Sequence, residues 1–199
     1  MAGFPDDIEG MIEYASKVKD EGNLYFKAGK NKKALLTYAK VFAFTKGIPG
    51  RNSPDTPDGG FDTSPYLGNA IKISEEEDHK CNELELATLT NMATICIKEN
   101  QAIKAIEYAE RALLRHNDSF KAHLRLAQGR ALIHEWESAR FSYLKAKQLA
   151  PKEHTAMIIN ELNRVKAHQK ADDAKESDKQ RKRLAGAFGS DSGGDEKEK

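Results

Sequence analysis

The chain has 199 residues, 32% of them charged and 39% hydrophobic, with a formal net charge of +1. That balance creates no overall field to draw nucleic acid or an anionic membrane, so any attraction to a charged partner has to be local. No apolar run approaches the roughly 20 residues a spanning helix needs, and residues 1–9 are acidic without the apolar core of a signal peptide.

In chain order, Asp6 or Asp7 can cap a first helix that carries Met11, Ile12, Ala15 and Val18 at helical spacing and reaches Phe26. Gly29 marks a turn. A second helix over about 31–46 carries Ala34, Leu35, Tyr38 and Val41 and reads as largely buried. Residues 47–68 then hold four of the six prolines, which interrupt helices. A loop this long inside a compact unit is either a mobile excursion or a segment that docks, and Phe61, Tyr66 and Leu67 are the residues that would dock.

Ser74 followed by Glu75, Glu76 and Glu77 starts a third helix, with carboxylates in the first turn where the helix dipole favours them. It runs through Leu84, Leu86, Leu89, Met92 and Ile95 to Asn100, and its partner carries Ala105, Ile106, Ala109 and Ala112. Ser119 caps the next helix pair, in which Leu124, Leu126, Leu132, Trp136, Phe141, Tyr143 and Leu144 are all assigned to the core. Pro151 suits the first turn of a final helix over 152–187. Its early apolar positions cover the preceding pair, and beyond Val165 it is nearly all charged. Residues 188–199 are disordered by composition.

A pattern returns along this series. Counting from Ala15, a small residue falls at position 8 (Gly22), an alanine at 20 (Ala34) and an aromatic at 24 (Tyr38). Counting from Leu86 gives Ala93 and Ala105 at the same places, and counting from Phe120 gives Ala127, Ala139 and Tyr143. The last two starts are 34 residues apart, the tetratricopeptide repeat (TPR) period. The first two are 71 apart, one period plus an insertion of 37. The chain resembles a TPR protein: an all-α solenoid of three repeats (about 15–46, 86–117 and 120–151, with an insertion at about 47–78) closed by a long C-terminal helix. Residues 1–151 form the TPR domain.

Little in the chain points to catalysis. The six histidines make no spaced ligand set, so no metal is expected. There is no glycine-rich phosphate loop and no nucleophile elbow, so neither a cofactor nor an enzyme is expected. Cys81 and Cys96 are simplest as a reduced intracellular pair, with a disulfide between them as the lesser alternative. The basic cluster Lys179, Arg181, Lys182 and Arg183 reads as a solvated helix end or as a nuclear-import or nucleic-acid patch.

The inner groove carries the sharper signal. Lys19 and Asn23 are four apart and share one helix face, as do Lys121 and Arg125, and Asn91 lies on the opening helix of the repeat between them. Five such residues could be solvated surface. Their places in the repeat frame instead resemble the two-carboxylate clamp of TPR co-chaperones, which grip the C-terminal Glu-Glu-Val-Asp of heat-shock protein 90 and heat-shock protein 70. A chain ending in aspartate offers two carboxylates, and holding both takes cations for charge and amides for directed hydrogen bonds. By resemblance, Lys19, Asn23 and Asn91 hold the main-chain carboxylate, Lys121 the aspartate side chain and Arg125 an oxygen further upstream. Gly22 would let helices pack closely.

The chain is also similar to the tetratricopeptide repeat protein 9 family and to the TPR domains of immunophilins, in its long insertion and its charged last helix. Immunophilins support chaperone binding with a basic-aromatic-Met-Phe pattern in that helix; here Arg181, Leu184, Ala187 and Phe188 keep only the basic and last aromatic places. The resemblance implies a monomeric, non-catalytic co-chaperone that binds heat-shock protein 90 or 70 tails in the cytoplasm, with nuclear access. A TPR scaffold for another protein, its clamp unused, is the alternative.

Overall fold

Asp7 opens the first helix: its backbone is extended and its Oδ1 accepts the Gly10 amide at 2.9 Å. In a computed structural model that describes residues 7–48, 51 and 73–189, seven helices follow one another. They are α1 (Ile8–Lys27), α2 (Asn31–Lys46), α3 (Glu75–Lys98), α4 (Ala102–Arg115), α5 (Phe120–Leu132), α6 (Trp136–Leu149) and α7 (Lys152–Gly189). The docking candidates Phe61, Tyr66 and Leu67 and the tail 190–199 lie outside the described residues.

Three helical hairpins, α1–α2, α3–α4 and α5–α6, repeat one turn. Each ends its first helix on a left-handed residue: Gly29 (φ 72), Asn100 (φ 58) and His134 (φ 62). The residue after each donates its amide back five places, Lys30 to Tyr25 O, Gln101 to Cys96 O and Glu135 to Arg130 O. That is a Schellman closure, and it satisfies carbonyls a helix end leaves open. Only at Gly29 does the sequence supply the residue type that adopts this conformation without strain.

Ser74 caps α3 with a complete capping box: its hydroxyl accepts the Glu77 amide at 3.3 Å while Glu77 accepts the Ser74 amide at 2.8 Å. Ser119 caps α5 through the Ala122 amide. The first helices of the hairpins form an inner layer, with α3 touching both α1 and α5, while α2 packs on α3, α4 on α5, and α6 on α7.

Between the layers, Ala15, Val18, Val41 and Leu84 make one cluster and Ala34, Tyr38, Met92 and Ile95 the next. Leu124, Ala127, Tyr143 and Ala146 meet Ile158, Leu162 and Val165 of α7, which covers the last repeat. The periodic alanines are fully buried because the helices approach closely there. The assignment of every large apolar residue of the third pair to the core is corrected: Phe141 is 70% exposed, Leu144 47% and Leu132 37%. Phe141 and Leu144 lie on α6, whose buried stripe is Ala139, Ser142, Tyr143 and Ala146. Beyond Asp172, whose carboxylate still meets Trp136, α7 leaves the repeats and every residue from 173 to 186 is exposed.

Candidate functional site

Gly22 and Tyr38 set the local geometry. Tyr38 of α2 is fully buried, and a Cβ built on Gly22 would lie 2.5 Å from its ring. Only a glycine there lets the tyrosine pass α1 and bring its hydroxyl to the inner layer. That hydroxyl donates to Asn23 Oδ1 at 2.7 Å, and Asn91 Nδ2 of α3 donates to the same oxygen at 3.0 Å. Burial pushes the Tyr38 phenol pKa up, against a hydrogen bond with Asn91 that lowers it, so the phenol stays protonated.

Asn23 Nδ2 donates to Asp20 Oδ1 at 3.2 Å, and Lys19 Nζ lies 3.2 Å from the same oxygen. Lys19, Asn23 and Asn91 therefore come together across α1 and α3. The carboxylate that Lys19 and Asn23 hold here is Asp20's own.

Lys121 and Arg125 lie one turn apart on α5, outside that network. Lys121 is exposed, its Nζ 5.9 Å from the Phe120 ring centre, and it makes no ion pair among the described residues. Arg125 is half-buried and donates to the neutral Gln128 Oε1 at 2.8 Å. Burial pushes its guanidinium pKa down, and no described carboxylate pairs with it. Such a cation stabilises an incoming anion more than one already paired. Gln128 also lines a hollow of about 300 Å³ whose floor includes Ala131, Trp136, Tyr143 and Val165. This puts a largely apolar recess, whose lining also includes Glu161, Arg164 and His168, one turn along α5 from Arg125.

Asp20 and Tyr38 were not singled out as site residues from sequence. The signal for Tyr38 was present: a buried phenol needs a hydrogen-bond partner, and Asn23 is the polar residue next to the glycine it packs on.

The described residues contain no helix long and apolar enough to cross a membrane and no cluster of three or more His, Cys, Asp or Glu set to hold a metal. Cys81 and Cys96 are free and buried, and burial pushes the Cys81 thiol up to about 11.

The fold, hairpin by hairpin, is that of a TPR domain. Among solved structures it is similar to the C-terminal TPR-containing domain of a putative FK506-binding protein from Plasmodium falciparum, with a TM-score of 0.56 and 20% identity, covering 81% of this chain and 96% of that one. It is also similar to the first TPR of Spaghetti (RPAP3), solved with the HSP90 peptide SRMEEVD, with a TM-score of 0.52 and 21% identity over 77% of this chain and 91% of that one.

In sequence it is similar to human peptidyl-prolyl cis-trans isomerase FKBP4, 28% identical over 148 residues, which are 74% of this chain and 28% of that protein. The inactive isomerase FKBP6 of Rattus norvegicus is 33% identical over 93 residues, 47% of this chain and 28% of that protein. The chain thus spans less than a third of the length of these curated relatives. No family model matches it.

Proposed function

We propose that the protein is a non-catalytic co-chaperone adaptor whose inner groove binds the C-terminal Glu-Glu-Val-Asp of heat-shock protein 90, heat-shock protein 70 or both through a two-carboxylate clamp. The observation that carries this reading is the joining of Asn23 and Asn91 by a 3.0 Å hydrogen bond across two helices, with Lys19 beside them. These are the cation and amides a terminal carboxylate needs, already held by the fold. In this reading Lys121 and Arg125 take the aspartate side chain and an upstream oxygen, and the apolar hollow next to Gln128 takes a side chain before the shared tail.

Support from outside the chain is the similarity in fold to a TPR domain solved with an HSP90 peptide and in sequence to FKBP4. The adaptor works in the cytoplasm, as a monomer.

The test is calorimetric titration of the protein and its Lys121→Glu variant with peptides ending Met-Glu-Glu-Val-Asp and Ile-Glu-Glu-Val-Asp. Binding in the micromolar range, about 8 kcal/mol, that the substitution abolishes supports the clamp, and the ratio of the two affinities names the favoured chaperone. No binding to either peptide overturns it.

A further inference from the structure

Asn23 is useful to a bound carboxylate only in one of its two amide orientations, since one edge donates and the other accepts. Two donors converge on one edge: the Tyr38 hydroxyl at 2.7 Å and Asn91 Nδ2 at 3.0 Å. The opposite edge lies 3.2 Å from the Asp20 carboxylate, which Lys19 also holds. Oxygen toward Tyr38 and nitrogen toward Asp20 is the arrangement in which every contact is a donor meeting an acceptor.

The two asparagines alone do not choose it, because rotating both amides together restores a bond between them. The Asp20 carboxylate, which only accepts, and the phenol break that degeneracy from opposite edges. The phenol is fully buried and Asn91 Nδ2 lies 3.5 Å from its oxygen as a donor, so its own proton is left to an oxygen at Asn23.

We infer that Tyr38 is a positioning residue of the clamp: from α2, behind the groove, its hydroxyl holds the Asn23 amide with Nδ2 turned to the place of a bound carboxylate. This rests on the clamp reading above and adds a residue to it that touches no ligand. It also gives Gly22 a task beyond close packing, because any side chain there displaces the ring that carries the hydroxyl.

The test is a double-mutant cycle on affinity for a peptide ending Glu-Glu-Val-Asp, using Tyr38→Phe, which keeps the buried ring, and Asn23→Ala. Loss of one orienting hydrogen bond should weaken binding about 3- to 10-fold in the wild-type background, and by less than about 2-fold once Asn23 is absent, because coupled residues are not additive. A loss of equal size in both backgrounds, or none in the first, overturns the role while leaving the clamp standing.

Failure of the wild type to bind sinks the clamp and this role together. The peptide-free protein supplies a second readout: Tyr38→Phe should shift and broaden the Asn23 side-chain amide resonances, and unchanged resonances overturn the inference.

Discussion

Arg51 and Glu85 share a hydrogen bond of 2.6 Å from which both side chains are shut off from solvent. Glu85 Oε1 also accepts from the Thr45 hydroxyl, while Oε2 takes Arg115 through Nε at 2.8 Å and Nη2 at 2.7 Å. Arg51 reaches on to Asp78 and Asn82. Burial works against the Arg51 charge, but the hydrogen bonds and charges of Glu85 and Asp78 outweigh it and hold its pKa above the ordinary value. With Ile48 packed on Ile8 and Cys81, this network ties the chain just past α2 to the start of α3.

Removing one partner from such a network costs more than its bond. Glu85→Ala leaves two buried guanidiniums facing each other without their shared carboxylate, and should destabilise the fold by about 3–5 kcal/mol. Urea denaturation measures this. A loss below about 1 kcal/mol, the scale of an exposed pair, would show that water reaches the cluster.

Gly22→Ala sets two effects against each other. Alanine raises helix propensity by about 1 kcal/mol, whereas its Cβ would sit 2.5 and 2.6 Å from two ring atoms of Tyr38, and overpacking of this kind costs about 1–3 kcal/mol. The ring is fully buried and has no room to retreat. The variant should melt below the wild type; a higher melting temperature would show that the ring moves freely.

Much of this was legible in the chain because repeats announce themselves. The alanines at position 20 of each unit, Ala34, Ala105 and Ala139, are all fully buried, and the Ser74 cap lies where its spacing to Glu77 predicts. The position-15 turns were legible at Gly29 and at Asn100, both residue types that take the left-handed conformation readily, but not at His134, which the same local closure by Glu135 N–H on Arg130 O holds there. The third pair misled because periodicity marks a stripe but not its width, and Phe141 falls just outside it. The Arg51–Glu85 pair was beyond reach, joining residues 34 apart across a stretch without periodicity. For the five residues of the proposed clamp, spacing placed Lys19 with Asn23 and Lys121 with Arg125 on shared helix faces, while the clamp itself came from resemblance. That Asp20 faces Asn23 follows from their i,i+3 spacing on α1, whereas that Tyr38 holds Asn23 from behind is a matter of packing.

Asp20 competes with any carboxylate that Lys19 and Asn23 would bind, because its Oδ1 already holds both donors at 3.2 Å. Its side chain is 65% exposed, so the contact is weak and readily exchanged. Asp20→Asn should therefore tighten binding of a peptide ending Glu-Glu-Val-Asp about 2- to 5-fold. Glu21→Gln removes the same charge one residue on and serves as control. Equal gains in the two variants would reduce the effect to general electrostatics.

The last contact concerns pH and α7. Trp136, the one tryptophan of the chain, donates Nε1–H to Asp172 Oδ2 at 3.0 Å, stacks on His168 and meets His134 edge-on. Lys175, His134 and Trp136 together hold the Asp172 carboxyl down to about 2. A carboxyl depressed on folding adds stability that is complete above its unfolded pKa of about 3.9 and is lost as pH falls through the folded value. The Asp172 contribution to the docking of α7 on the α5–α6 turn should thus be complete above about 4 and be lost between about 4 and 2. Trp136 fluorescence reports it directly. Asp172→Ala should remove that step and leave the emission near neutral pH already shifted toward a solvated indole, and a wild-type transition that survives the substitution unchanged would assign it to unfolding of the repeats instead.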